Sequence, residues 1–224
     1  MRIGILGSGG VGATLGTALV QRGHEVRMGS RSKGSEKAVA WAQAAGSKAS
    51  HGTFAEAARF GEVLLNCTAG DKSLEALRAA GAEELRAKIL IDVANPLDFS
   101  KGMPPTLTIV NDDSLGERIQ AAFPETRVVK ALNTVNMHVM VQPTLVPDDH
   151  HIFVSGNDAD AKSRVATLLG EWFGWRAPQI IDLGDITTAR GTEMLLALWI
   201  RLMVKLGTPT FNFRVVVGGA SVPR

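Results

Sequence analysis

Three glycines near the start of the chain are spaced so that they could hold a phosphate group. Gly7, Gly9 and Gly12 form a G-x-G-x-x-G pattern within GSGGVG. The first glycine of such a turn lets the chain bend sharply, the second leaves the backbone open to a pyrophosphate, and the third lets a helix lie close to a strand. Backbone amides and the positive end of the helix dipole then face the phosphates. The spacing predicts a dinucleotide site.

Polar residues about 20 positions beyond the glycines bear on which dinucleotide binds. NAD-binding units usually carry an Asp or Glu there, which accepts a hydrogen bond from the ribose 2′-hydroxyl. This chain has Ser30, Arg31, Ser32 and Lys33 instead. Hydroxyl groups beside a guanidinium and an ammonium suit a 2′-phosphate, which an Arg can bind through two hydrogen bonds. These residues favour NADP(H), the alternative being that Arg31 and Lys33 are ordinary solvated charges in a loop.

A regular alternation of strands and helices must position the glycine turn and the polar residues at 30–33. An apolar run at 3–6 precedes the glycines and an apolar-periodic segment follows them, which is the order of a dinucleotide-binding unit. The strands after the first two are predicted at residues 48–51, 62–67, 89–93, 127–132, 152–156 and 179–183. Strand and helix alternate as far as residue 183, so we expect an α/β fold with a Rossmann-type doubly wound, mostly parallel sheet.

Small or polar residues follow three of the predicted strands. They occupy residues 68–70, 94–97 and 133–138. Ligands of open parallel sheets bind at the carboxyl ends of the strands, so these segments are candidates for contact with the ribose and nicotinamide. Asn95 has an equal alternative as a turn residue, because Pro96 biases it toward an extended conformation.

Side chains that could move a proton are scarce in this chain. Dehydrogenases of alcohols, ketones or imines need a proton donor or acceptor near the hydride, usually His, Lys, Tyr or a carboxylate. The chain contains no Tyr. His138 is the best placed histidine for a substrate contact, against the alternative of a surface or packing histidine, and Lys130 lies inside a predicted strand, where a paired or edge position is expected. No catalytic residue is therefore assigned, and this absence favours hydride exchange between two redox cofactors.

Composition excludes several classes of protein. The 224 residues are 45% apolar and 21% charged with a formal net charge of +2, which suits one globular domain with a small addition and gives no basis for nucleic-acid or membrane binding. Cys67 is the single cysteine, so an intramolecular disulfide is excluded, and no Cys/His cluster has metal-ligand spacing. The apolar runs are too short for a secretory segment or a membrane span. We expect a cytoplasmic protein without a metal site.

The C-terminal part differs from the rest of the chain. Residues 187–206 form an apolar-periodic helix whose apolar stripe is wider than one sheet face can cover. A dimer contact would use the excess. The chain is accordingly divided into an NADP-binding domain at 1–183 and a helical segment at 184–224, expected to supply a dimer contact and part of the substrate pocket.

Several segments together resemble one family of reductases. They are GILGSGGVGATLGTALVQRGHEVRMGSRS, CTAG, DVANPLDFSKG, RVVKALNTVNMHVM, IFVSGNDADAKSRVATLL and ITTARGTEMLLALWIRLM. In this order they resemble the NADPH-dependent reductases of the deazaflavin coenzyme F420, to about residue 206. The resemblance implies a Rossmann domain with a small helical C-terminal part, a homodimer, and hydride transfer between C4 of the nicotinamide and C5 of the deazaflavin.

Carried over by position, the family's contacts fall in five short segments. The pyrophosphate would be held by Ser8, Gly9, Gly10 and Val11. The 2′-phosphate would be held by Ser30, Arg31 and a lysine that is either Lys33 or Lys37. The nicotinamide would be lined by Thr68, Ala69, Ala94 and Asn95. The second redox ring would face Asn133, Thr134 and Val135.

The identity of the second redox partner stays open. At the position of Asn133 the archaeal members of the family carry a histidine, so a flavin stays open as the acceptor beside a deazaflavin. A reductase of a small carbonyl or imine, which would need His138 or Lys130 as proton donor, is the alternative enzyme. A third possibility is an NADP(H)-binding sensor without turnover.

Overall fold

A computed structural model describes residues 1–218, which contain ten strands and nine α-helices. The strands are β1 (Arg2–Leu6), β2 (Glu25–Ser30), β3 (Ala49–Thr53), β4 (Val63–Asn66), β5 (Ile89–Asp92), β6 (Leu97–Asp98), β7 (Thr106–Leu107), β8 (Arg127–Ala131), β9 (Ile152–Ser155) and β10 (Ile180–Gly184). The helices are α1 (Gly10–Gln21), α2 (Glu36–Ala45), α3 (Phe54–Phe60), α4 (Ser73–Ala80), α5 (Ala82–Leu85), α6 (Leu115–Ala122), α7 (Met137–Val141), α8 (Ala159–Phe173) and α9 (Ala189–Leu206). Residues 219–224, the end of the predicted segment 184–224, lie outside the described residues.

Eight of the strands form one sheet in the order β10-β9-β8-β5-β4-β1-β2-β3. The six strands from β8 to β3 in this order are all parallel, which confirms the predicted mostly parallel sheet. β9 pairs antiparallel with β8 and β10 pairs parallel with β9, so the last two strands run in the opposite direction. The strand order reverses between β1 and β4, because β2 and β3 lie on one side of β1 while β4 and β5 lie on the other. At this point a crevice opens at the carboxyl ends of β1 and β4.

Helices cover both faces of the sheet, which explains the continuous apolar runs of the central strands. In β4, Leu64 belongs to one hydrophobic cluster and Leu65 to the cluster on the opposite face. In β5, Leu90 and Ile91 divide in the same way, because successive side chains of a strand point to opposite faces. The sheet is therefore a rigid central layer whose carboxyl edge presents the loops of the site.

The C-terminal helix α9 packs over the loop that follows β5. Its buried residue Trp199 forms a small apolar cluster with Leu97 and Leu107 of the β6/β7 hairpin, and stacks on Phe211 with a ring separation of 5.1 Å. The outer face of α9 is apolar and open, with Leu198 50% exposed. Within residues 1–218, no helix is long and apolar enough to span a membrane.

Candidate functional site

The glycine turn between β1 and α1 has the geometry of an anion cradle. Gly7 has a φ of +119°, a conformation that favours glycine, and a Cβ on Gly12 would overlap with the carbonyl oxygen of Gly7. A Cβ on Gly9 would meet no atom within 4 Å, so that side of the turn is open. The α1 N-terminus has no side-chain cap and no acidic residue in its first turn. Its free amides therefore fit a pyrophosphate.

Beside this turn lies a cavity of about 480 Å³ at the end of β2. Its lining residues are Ser8, Gly9, Ser30, Arg31, Ser32, Ser35, Glu36, Lys37 and Phe54. The β2 strand ends in Ser30, whose hydroxyl donates a 2.7 Å hydrogen bond to the carbonyl of Ser32, so this hydroxyl shapes the loop. The guanidinium of Arg31 and the ammonium of Lys37 supply two positive charges. This set of donors fits a phosphate group.

The two candidate lysines of this loop differ in position. The ammonium of Lys33 lies 3.5 Å from the Glu56 carboxylate of α3, and Lys33 is absent from the cavity lining. Lys37, in the first turn of α2, borders the cavity together with Arg31. The sequence did not decide which of these two lysines lies at the phosphate site, and in the structure Lys37 is the one that lines the cavity.

Two further cavities continue from the first along the carboxyl edge of the sheet. The second, of about 330 Å³, shares Ser8, Gly9 and Arg31 with the first cavity. The third, of about 520 Å³, shares Thr68 and Ala69 with the second. The three therefore form one groove, which crosses the crevice between β1 and β4. A groove with phosphate donors at one end and strand ends at the other suits an extended dinucleotide.

The groove collects most of the predicted cofactor residues. Those that line it are Gly7, Ser8, Gly9, Val11, Ser30, Arg31, Ser32, Thr68, Ala69, Ala94 and Asn95. Gly12 is buried beneath the turn, and Gly10 faces Met137, whose sulfur would lie 3.3 Å from an added Cβ. Lys33, like Gly10 and Gly12, is absent from the lining of the groove.

The third cavity is built by two strand ends that touch each other. Thr68, Ala69 and Gly70 follow β4, while Ala94 and Asn95 follow β5. A Cβ on Gly70 would overlap with the carbonyl oxygen of Asn95, so only glycine permits this approach. The two loops therefore hold each other in place.

The β6/β7 hairpin forms the outer wall of the third cavity. Phe99 lines it and is 58% exposed, so an aromatic face is available at the cavity mouth. The carboxylate of Asp98 accepts a 2.8 Å hydrogen bond from the Ser100 N–H, which lowers the pKa of Asp98. Burial raises the pKa of the Cys67 thiol on the opposite wall. Neither group is suited to act as an acid or a thiolate near pH 7.

The residues predicted to face a second ring do not reach the cavity surface. Asn133, Thr134 and Val135 are buried and lie outside the cavity lining. The side-chain amide of Asn133 donates to Asn95 Oδ1 at 3.0 Å, and the Asn95 amide donates to the Asn133 carbonyl at 2.8 Å. The chain reaches this position through Leu132, whose φ of +62° is unusual for a residue with a Cβ. Asn133 therefore contacts Asn95, which lines the cavity, and does not line the cavity itself.

His138 is also outside the groove. It lies on α7 as an exposed residue, and its backbone N–H donates to Asn136 Oδ1 at 3.0 Å. None of the three cavities of the groove includes it in the lining. His138 is thus a surface residue, in agreement with the alternative to a substrate contact.

A buried ionic cluster lies directly beneath the third cavity. The Lys130 ammonium donates to Asp92 Oδ2 at 2.8 Å, to Glu193 Oε1 at 2.7 Å and to the Ala94 carbonyl at 2.5 Å. Each of the three charged side chains is at most 1% exposed. Desolvation lowers the pKa of Lys130, but the two carboxylates outweigh it and the pKa is raised. Lys130 is therefore a paired residue, as expected, and is unsuited to donate a proton to a substrate.

Hydrogen bonds extend this cluster to the cavity wall. Asn66 donates to Asp92 Oδ1 at 2.8 Å and accepts a 2.7 Å hydrogen bond from the Thr68 hydroxyl. That hydroxyl also lies 2.7 Å from the Ser73 hydroxyl at the start of α4. The sequence analysis singled out neither Asp92 nor Glu193, although charged residues inside apolar strands, here Asp92 and Lys130, generally need a buried partner. The strand sequences ILID and RVVKA carried that signal.

Comparison with known proteins relates the whole of this groove to one group. The sequence profile of the family described as "NADP oxidoreductase coenzyme F420-dependent" matches residues 2–96. The F420-dependent NADP reductase of Methanocaldococcus jannaschii is 31% identical over 161 residues, which cover 71% of this chain and 70% of that protein. The crystal structure of a candidate F420-dependent NADP reductase from Arthrobacter sp. FB24 has a TM-score of 0.91 at 51% identity, covering 97% of this chain and 100% of that one.

A more distant similarity links the chain to a larger protein. The metalloreductase STEAP3 of Rattus norvegicus is 26% identical over 211 residues. The aligned region covers 93% of this chain but 38% of that protein. The similarity therefore concerns one part of the larger molecule.

Proposed function

Because the chain belongs to the family of coenzyme F420-dependent NADP oxidoreductases, we propose that it transfers hydride between NADP(H) and a planar deazaflavin or flavin. The assignment as an NADP-dependent oxidoreductase rests on the family. The class of acceptor rests on the third cavity of the groove, whose lining, within residues 1–218, contains no histidine, lysine or tyrosine.

In this proposal each part of NADP(H) binds at a different position along the groove. The pyrophosphate binds at the glycine turn, where the amides of α1 are free. The 2′-phosphate binds between Arg31 and Lys37, and we prefer Lys37 to Lys33 because Lys33 is engaged with Glu56. The nicotinamide reaches the third cavity, where Thr68 and Ala94 form the walls. When bound, NADPH supplies the hydride.

The residues around the third cavity favour orientation over proton transfer. Lys130 is sealed beneath the wall with its three protons engaged, and His138 lies outside the groove. Asp98 is held as a carboxylate by Ser100. Reduction of a carbonyl or imine needs a proton donor at the reacting atom, whereas hydride exchange between two rings needs correct stacking.

Phe99 supplies a surface for the second ring. Its side chain is 58% exposed at the cavity mouth, opposite the strand ends. An exposed aromatic ring favours an offset-stacked planar partner. Asn133 then contributes by holding Asn95 rather than by touching the acceptor.

The proposal includes a homodimer formed through α9. Leu195, Leu198, Leu202 and Leu206 recur at helical spacing on one face, and Leu198 and Leu206 are 50% and 55% exposed. An open leucine stripe of this kind is typical of an interface. We also infer a cytoplasmic location, because the single cysteine is free and buried.

The function is tested by following NADPH absorbance at 340 nm with one acceptor at a time. The acceptors are coenzyme F420, FMN and a panel of small carbonyl compounds and imines. We expect oxidation of NADPH with the deazaflavin or the flavin and none with the panel. Turnover with the panel alone would overturn the proposal, and no turnover with any acceptor would favour a sensor that binds NADP(H) without chemistry.

A further inference from the structure

We propose that Lys130, held by Asp92 and Glu193, is a positioning residue that fixes the Ala94–Asn95 peptide for contact with the nicotinamide. The inference rests on the proposed function, because it assumes that NADP(H) places its nicotinamide in the third cavity. It concerns a different part of the molecule, since none of the three charged residues lines the groove.

The ionic cluster is complete and fully enclosed. Lys130 uses its three protons on Asp92, Glu193 and the Ala94 carbonyl, all within 2.8 Å. The remaining acceptor sites of the carboxylates are also used, because Glu193 accepts from the N–H groups of Leu115 at 2.7 Å and Gly116 at 3.0 Å. Such a cluster is an inefficient way to stabilise a core, since apolar residues of similar volume often do as well or better. A specific task explains its presence better than stability.

The third hydrogen bond of Lys130 indicates that task. It fixes the direction of the Ala94 carbonyl, which points down from the cavity wall to the ammonium. In a trans peptide the carbonyl and the next N–H point in opposite directions, so the Asn95 N–H is turned away from Lys130. Within residues 1–218, no acceptor pairs with this N–H. The donor is thus available on the side of the groove, where a carboxamide oxygen is the matching acceptor.

Three elements meet at this one ammonium. Asp92 ends β5, Lys130 lies in β8, and Glu193 belongs to the first turns of α9. Glu193 therefore connects the C-terminal helix to the wall of the nicotinamide site. Removal of the ammonium takes away the hydrogen bond to the Ala94 carbonyl and leaves two buried carboxylates without a counter-charge.

The chain offers a matched control. Lys162 is also a mostly buried lysine, 9% exposed in its side chain, and donates to a carboxylate, Asp182, and to a carbonyl, Gly184, both at 2.8 Å. It lies between α8 and β10, and Gly184 does not line the groove. Lys162→Met removes the same chemistry without touching the nicotinamide end.

The experiment compares the affinities of folded variants for two ligands, measured by calorimetry. NADPH carries the nicotinamide, whereas 2′-phospho-ADP-ribose has the rest of the molecule and lacks that ring. For Lys130→Met we expect the Kd of NADPH to rise by about tenfold, as for one lost hydrogen bond, while the Kd of 2′-phospho-ADP-ribose stays within about twofold. Lys162→Met should leave both values and their ratio unchanged.

A second variant covers a failure of Lys130→Met to fold. Lys130→Met combined with Asp92→Asn and Glu193→Gln removes all three charges, so no unpaired ion stays buried. Its thermal melt establishes folding, and the same two titrations give the result. The expected signature is again a loss confined to NADPH.

The possible results separate the two levels of inference. Unchanged NADPH affinity in a folded variant, or an equal loss for both ligands, would overturn the positioning role alone. A wild-type protein that binds neither ligand would overturn the proposed function and this inference with it. A loss confined to NADPH, absent in Lys162→Met, supports both.

Discussion

Replacement of Arg31 by Met tests the assignment of the phosphate end of the groove. Arg31 borders both the first and the second cavity, so truncation to Ala would also remove apolar contact near the adenosine. Met retains the unbranched stem and removes the guanidinium. The change therefore isolates the charge and its hydrogen bonds.

The expected magnitude follows from the exposure of Arg31. Hydrogen bonds to charged groups contribute about 1.5 to 3 kcal/mol, and exposure to solvent reduces this through screening. Arg31 is exposed, so we expect a loss of about 1 to 2 kcal/mol, or about 5- to 30-fold in Kd. NADH has a 2′-hydroxyl in place of the phosphate, and its Kd should change by less than about twofold.

Fluorescence titration of NADPH and NADH against each variant measures both values. Arg164→Met is the control, because Arg164 is a surface arginine on α8 that lies outside the groove. Equal weakening of NADPH and NADH by Arg31→Met would refute a role at the 2′-phosphate. An unchanged NADPH affinity would refute any role for Arg31 in the cofactor site.

Three further outcomes are expected. Lys37→Ala should weaken NADPH binding by about 0.5 to 1.5 kcal/mol while Lys33→Ala changes it little, and the reverse order in the same titration would return Lys33 to the site. Gly12→Ala should lower the free energy of unfolding by about 2 to 4 kcal/mol, and with it the thermal midpoint, because the added methyl group would overlap with the Gly7 carbonyl oxygen. A thermal midpoint equal to that of the wild type would contradict this close packing. Leu198→Lys should convert a dimer to a monomer in light scattering, with turnover measured in parallel, and an unchanged mass would remove this face as the interface.

Much of the fold could be predicted from local pattern. The continuous apolar runs of β4 and β5 indicate strands covered on both faces, and both are found within the predicted ranges. The direction of β9 could not be obtained in this way, because periodicity does not encode direction. One indication lies in the connection between β8 and β9, whose single α-helix, α7, has five residues, whereas a parallel connection usually contains a longer crossover helix.

The sequence predicted those parts of the candidate site that short motifs form. It did not predict those that depend on contacts between residues far apart in the chain. The glycine turn and Arg31 directly follow two successive strands, β1 and β2, and line the groove together. The ammonium of Lys33 lies 3.5 Å from the carboxylate of Glu56 in α3, a partner that sequence spacing does not reveal. Asn133 is buried, and the residue before it, Leu132, has a positive φ, for which a leucine gives no sequence signal.

The two ends of the groove differ in how they respond to ionic strength. Arg31 and Lys37 are exposed charges, whereas the Lys130 cluster is enclosed in protein. The Debye length falls from about 10 Å at 0.1 M salt to about 3 Å at 1 M, so salt screens the exposed pair and leaves the enclosed cluster nearly unaffected. Added salt should therefore raise the KM for NADPH without lowering kcat. Binding of the cofactor should therefore depend on the salt concentration, whereas the alignment of the nicotinamide should depend on the buried ionic cluster and not on salt.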